Sequence, residues 1–79
     1  MDYRDHLAAA QAADVMLRAD NERFNHCVSL AHEDGSFFLL DGAFFDEVDG
    51  AWYYVFTEHH GVFVFPKEDV LLIKEYSHI

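Results

Sequence analysis

The sequence predicts a small α+β domain in which an N-terminal helix packs on a bent antiparallel sheet. Three observations lead to this prediction. Residues 7–19 are rich in alanine, the best helix former, and their apolar residues recur with a helical period. From Phe24 onward, apolar residues recur at every second position, as they do in half-buried strands. Asp-Gly pairs at 34–35 and 49–50 indicate tight turns between such strands. A chain of 79 residues allows one domain, which we assign to 1–79.

The helix is predicted to begin at Tyr3, because Asp2 can cap it and Asp5 suits the positive end of the helix dipole. Its predicted apolar side consists of Ala9, Ala10, Ala13, Met16 and Leu17. Most of these side chains are small, so the helix can lie close to a sheet whose own side chains are large. The helix is predicted to end at Asp20-Asn21, because Asn tolerates the left-handed conformation.

Four to five strands are predicted to follow the helix. Their predicted ranges are 24–31, 36–40 with an extended continuation over 43–48, 51–58, 62–65 and 70–76. Asp41-Gly42 interrupts the second strand, either as a bulge or as a further turn. Pro66 ends the fourth strand or lies on a sheet edge, because proline cannot donate a ladder hydrogen bond.

The bent sheet can be closed as a small barrel or open, with the helix on one face. The segment from Val62 to Ile73 contains two apolar strands joined by one short turn at residues 67–69. In this pattern it resembles the last two strands of SH3-like and Sm-like barrels. The residues leave both arrangements open.

Both faces of several predicted strands are apolar, whereas one helix can cover only one face. In the third strand Trp52, Tyr54 and Phe56 point to one face, while Tyr53 and Val55 point to the other. A large uncovered apolar face is rare in soluble monomers. Closure into a barrel, a homodimer through the sheet, or a partner protein would cover it. Because Tyr and Trp are frequent anchors of interfaces, Trp52 and Tyr54 are predicted partner-binding residues.

The chain is strongly acidic, with a formal net charge of −10. No Lys or Arg occurs between Arg23 and Lys67, so the sheet portion lacks the cations that bind phosphates. We therefore expect neither direct nucleic-acid binding nor docking on an anionic membrane. The expected partner is a larger basic protein or nucleoprotein complex. The carboxylates predicted to contact it are Glu33, Asp34, Asp41, Asp46, Glu47, Asp49 and Glu58.

In size, charge and compactness, the whole chain resembles the small acidic inhibitors of phages and mobile elements, the anti-CRISPR and anti-restriction proteins. The resemblance involves no sequence motif. It implies a non-catalytic inhibitor that occupies a basic nucleic-acid-binding surface and competes there with DNA or a guide-bound target. Carboxylates displayed rigidly in place of phosphates would lower the ordering cost of binding. The alternative function is a homodimeric structural or adaptor module that associates through its aromatic sheet face, with the charge serving solubility.

No combination of residues predicts catalysis, a cofactor or a metal site. Glu58-His59-His60 contains the residue types that bind metals, but neighbouring residues on an extended chain point apart. We interpret this segment as a solvated hairpin turn, or as histidines that titrate at a partner surface. The acids at 46, 47 and 49 do not have the spacing of an EF-hand calcium loop.

The single cysteine, Cys27, excludes the internal disulfide framework on which small secreted domains usually depend. The N-terminal residues lack the basic region and long apolar core of a signal peptide. The longest apolar run, 51–56, is far shorter than a membrane span. We therefore expect a cytoplasmic protein.

Overall fold

A computed structural model of the chain describes residues 2–17, 24 and 26–77. Within these ranges it contains one α-helix, α1 (Tyr3–Leu17), and six strands. The strands are β1 (His26–His32), β2 (Phe37–Asp41), β3 (Ala43–Val48), β4 (Trp52–Thr57), β5 (Val62–Pro66) and β6 (Val70–Ser77). A 3₁₀ helix over Lys67–Asp69 joins β5 to β6. The predicted α+β class, with a helix followed by antiparallel strands, is confirmed.

The strands form two antiparallel sheets of three strands each. Sheet 1 has the order β2-β1-β6, and sheet 2 has the order β3-β4-β5. The prediction of one sheet with four to five strands is therefore wrong, and the strands of the described ranges close no barrel. The reason lies between β2 and β3, where the chain leaves one sheet and enters the other at Gly42.

Gly42 has a φ of +62°, a backbone conformation that residues with a side chain rarely adopt. A Cβ atom at this position would lie 3.3 Å from Oε2 of Glu58 and 3.5 Å from the carbonyl oxygen of Phe24. The backbone N–H of Glu58 donates to the Gly42 carbonyl oxygen at 2.8 Å. Glycine thus allows the change of direction by which β2 pairs with β1 and β3 pairs with β4.

Helix α1 begins at Tyr3, as predicted. Oδ1 of Asp2 accepts hydrogen bonds from the backbone N–H groups of Arg4 and Asp5, at 2.9 and 3.2 Å. The carboxylate of Asp5 accepts in return from the N–H of Asp2, at 3.1 Å. The predicted end at Asp20-Asn21 lies outside the described residues. No helix within the described ranges has the length and apolar character needed to cross a membrane.

The buried side of α1 differs from the predicted one. His6 and Ala10 are buried, whereas Met16 is 79% exposed and Ala9 is also exposed. The partly buried apolar residues that pack beside them are Leu7, Ala13 and Leu17. The inclusion of Ala9 and Met16 in the buried side was therefore wrong. The helix is rotated because His6 points inward, where it contacts Tyr54.

Sheet 2 lies between α1 and sheet 1, and an apolar cluster covers each of its faces. The cluster on the helix side consists of Ala10, Phe24, Phe44, Tyr54, Phe56 and Val64. The cluster towards sheet 1 consists of Val28, Ala43 and Val55, with Leu40, Phe45, Phe63, Phe65 and Ile73 packed against it. The two apolar faces predicted for the strands of sheet 2 are therefore both covered within the chain. Among the strands, the large exposed apolar residues lie instead on sheet 1.

Candidate protein interaction surfaces

The turn between β1 and β2 lies beside the 3₁₀ helix, and the two segments bring four exposed carboxylates to one end of the molecule. The backbone N–H of Glu33 donates to the carbonyl oxygen of Asp69 at 3.0 Å, which fixes the two segments together. Nδ1 of His32 donates to the same oxygen at 3.3 Å. We call these four carboxylate residues the acidic end: Glu33, Asp34, Glu68 and Asp69.

The carboxylate of Asp34 is held in one position by Ser36. Its Oδ1 accepts hydrogen bonds from the Ser36 hydroxyl at 2.6 Å and from the Ser36 backbone N–H at 2.9 Å. These bonds, the hydroxyl first, lower the pKa of Asp34 below its ordinary value of 3.8. The turn predicted from Asp34-Gly35 therefore also fixes a negative charge in place.

The predicted acids of β3, Asp46 and Glu47, contribute less negative charge to the surface than the sequence suggests. Nζ of Lys67 lies 2.7 Å from Oε1 of Glu47, and this contact raises the pKa of Lys67 above 10.5. Glu47 is thus already neutralised by a base of the same chain. Asp46 is half-buried, while Asp49 is exposed in the turn that follows β3.

Asp41 and Glu58 form a separate acidic group beside the bend at Gly42. Both are exposed, and His59 and His60 follow Glu58 in the turn between β4 and β5. Nε2 of His59 lies 3.6 Å from Oε2 of Glu58. Strand β2 has five residues, so at about 3.3 Å per step its first and last residues lie roughly 13 Å apart. Asp41 is therefore far from the acidic end, and the seven predicted acids do not form one continuous surface.

The predicted anchors Trp52 and Tyr54 lie beneath α1. Tyr54 is 6% exposed and its hydroxyl shares a hydrogen bond of 2.7 Å with Nδ1 of His6; His6 itself is 3% exposed. Trp52 is half-buried and stacks on the His6 ring, with 4.1 Å between ring centroids. Burial, with a smaller contribution from Asp49, raises the pKa of Tyr54, so its hydroxyl stays protonated at neutral pH. These rings hold the helix on sheet 2 and are covered by it.

A further apolar surface, which the sequence did not identify as a site, lies on the outer face of sheet 1. Its central strand contributes three small side chains, Cys27, Ser29 and Ala31. The strand register flanks them on both sides: Phe37 and Leu72 beside Ala31, Leu39 and Lys74 beside Ser29, Asp41 and Tyr76 beside Cys27. We call these nine residues the outer face.

The four large apolar residues of the outer face are well exposed. Phe37 is 64% and Leu39 65% exposed on β2, while Leu72 is 52% and Tyr76 48% exposed on β6. The apolar character of both faces of β2 was visible in the sequence. Which face would stay uncovered depended on the strand order, for which no local pattern exists.

Within the described residues, no group of three or more His, Cys, Asp or Glu side chains is arranged to hold a metal ion. The chain was also compared with protein-family models, with curated proteins and with solved structures, and none of them matches it.

Proposed function

We propose that the protein is a non-catalytic, anti-CRISPR-like inhibitor that binds a basic nucleic-acid-binding surface of a larger protein, in the cytoplasm, through its acidic end. The observation that carries this proposal is the placement of four exposed carboxylates on two segments that a backbone hydrogen bond from Glu33 to Asp69 joins. Asp49 lies outside this group and adds to the negative field at long range. Glu47 is left out, because Lys67 neutralises it.

The physical basis is competition for cations that otherwise contact phosphates. A net charge of −10 attracts a basic surface at long range and accelerates association. At contact, Asp34 is already ordered by Ser36, so little conformational entropy is lost on binding. The bound inhibitor then excludes DNA, because its carboxylates contact the cationic side chains of the partner that DNA phosphates would otherwise contact.

Charge reversal at the acidic end tests the proposal. Glu33→Lys combined with Glu68→Lys changes two exposed carboxylates and leaves the Asp34–Ser36 turn and the Asp69 carbonyl in place. The matched control, Asp41→Lys with Glu58→Lys, makes the same change of net charge at the bend. The immobilised chain and both variants are used to capture proteins from a host lysate, and captured proteins are identified by mass spectrometry.

We expect the wild type and the control to capture nucleic-acid-binding proteins, and the acidic-end variant to lose them. Added duplex DNA should release the captured proteins, as should high salt, because salt screens exposed charges. Far-ultraviolet circular dichroism and thermal unfolding establish that both variants are folded. Capture that resists DNA, or that the folded acidic-end variant retains, would refute this function.

The homodimeric adaptor predicted as the alternative was to associate through the face that carries Trp52, Tyr54 and Phe56. That face is covered by α1, and Tyr54 and Phe56 are buried there. An adaptor role through this face would require the helix to leave sheet 2, and nothing in the contacts of His6 favours such a step. The acidic inhibitor is therefore the function that the geometry supports best.

A further inference from the structure

We propose that the outer face of sheet 1 binds the same face of a second copy of this chain. This inference is independent of the proposed function, because it concerns a different surface. Four large apolar side chains are between 48% and 65% exposed on this one face. By contrast, Val28 and Leu30, on the opposite face of β1, are fully buried. A contiguous exposed apolar face of this kind is typical of a protein–protein interface.

The shape of the outer face is complementary to itself. Small side chains on β1 form a groove between the large side chains of β2 and β6. Neighbouring strands are about 4.8 Å apart, so the two flanking rows are separated by roughly 9.6 Å. When two sheets pack face to face, the side chains of their inner faces interdigitate in a layer about 10 Å thick. A two-fold axis lets the β6 row of each copy enter the β1 groove of the other.

The charge of the outer face also favours a second copy over a basic partner. Lys74 and Asp41 are the two charged residues among its nine positions, and their charges cancel. The net charge of −10 is therefore carried by other parts of the chain. Two copies can meet at this face without burying like carboxylates against each other. A basic partner would meet no net negative charge on the outer face, whereas the acidic end offers it four carboxylates.

The test compares two leucines that are neighbours on β6. Leu72 is one of the nine residues of the outer face, whereas Leu71 lies at the irregularity in the β1–β6 register and is not one of them. Both side chains are exposed, at 52% and 67%, so a lysine at either position costs little stability in a monomer. Leu72→Lys is the test variant and Leu71→Lys the control with the same change of residue and charge.

Sedimentation equilibrium and light scattering after size exclusion measure the mass over a wide range of protein concentration. We expect the wild type and Leu71→Lys to form a dimer as the concentration rises, and Leu72→Lys to stay a monomer. Alkylation of Cys27, on the central strand of the outer face, should slow with rising concentration in the wild type but not in Leu72→Lys. Thermal unfolding establishes that each variant is folded.

A wild type that remains monomeric at every concentration overturns the proposal and leaves the outer face to a different partner. A Leu72→Lys variant that forms the dimer as well as the wild type also overturns it. High salt separates the two proposals, because it weakens capture at the acidic end but does not weaken an apolar, uncharged contact. The dimer is also expected to survive the Glu33→Lys and Glu68→Lys changes.

Discussion

Replacement of Tyr54 by Phe tests whether its hydrogen bond to His6 secures α1 on sheet 2. The substitution removes one oxygen atom and keeps the ring. The contacts with the rings of His6 and Phe56, at 5.8 and 6.5 Å between centroids, are therefore retained, and no large cavity forms. What changes is that Nδ1 of His6, on a side chain 3% exposed, loses its hydrogen-bond partner.

A buried donor or acceptor that is left without its hydrogen-bond partner costs about 1–3 kcal/mol. We take about 2 kcal/mol for Tyr54→Phe, since the site is well buried and water has little access to it. In a domain of this size each kcal/mol corresponds to roughly 4–8 °C, so the melting temperature should fall by about 8–16 °C. The single tryptophan, Trp52, stacks on His6, and its fluorescence reports unfolding in urea at the site itself.

The double variant His6→Phe with Tyr54→Phe provides the matched control. It removes both polar groups and leaves two apolar rings in edge-to-face contact. Such a change is nearly neutral, whereas leaving one buried polar group without its partner is not. We therefore expect the double variant to be more stable than Tyr54→Phe alone. The double-mutant cycle then gives the coupling energy between His6 and Tyr54. A Tyr54→Phe protein within about 0.5 kcal/mol of the wild type would refute the reasoning. So would a double variant that is less stable than Tyr54→Phe.

Two further predictions concern alkaline pH and the bend. The pKa of Tyr54 is raised above 10.0 in the fold, so the folded state keeps a proton that the unfolded state loses. Stability should be fully present below about pH 10 and fall above it, and urea midpoints should show a smaller fall for Tyr54→Phe than for the wild type. Gly42→Ala should lower the melting temperature more than Gly50→Ala. Both have a φ near +60°, but only at Gly42 would the new Cβ be crowded. Equal losses in calorimetry would contradict this account of the bend.

Local features of the fold could be predicted from the sequence because their causes are local. The cap at Asp2 and the turn at Asp34-Gly35 depend on residues within a few positions of each other. The strand order could not be predicted, since β1 pairs with β6 across most of the sheet-forming sequence. Whether Asp41-Gly42 is a bulge or a turn depends on the strand order, so this could not be predicted either. The division of the strands into two sheets also depends on the strand order.

The candidate site was predictable to a similar extent. The acidic residues and their exposure follow from composition, but their grouping follows from tertiary contacts. Lys67 reaches Glu47 from 20 residues away, and no charge pattern along the chain indicates that pair. His6 is not among the residues predicted for the apolar side of α1, and no local pattern indicates that this polar residue is buried. Its hydrogen-bond partner, the hydroxyl of Tyr54, comes from 48 residues away and makes the burial of His6 possible.

The pairing of β1 with β6 has a consequence for the order in which the protein folds. Strands β3, β4 and β5 pair only with their neighbours along the chain, so they require short loop closures. Joining β6 to β1 closes a loop of about 40 residues, at an entropic cost of roughly 3 kcal/mol. We therefore expect the β3–β5 meander to form early and β6 to dock late. Substitutions in β6 should then act mainly on the unfolding rate, and those in β4 on the folding rate.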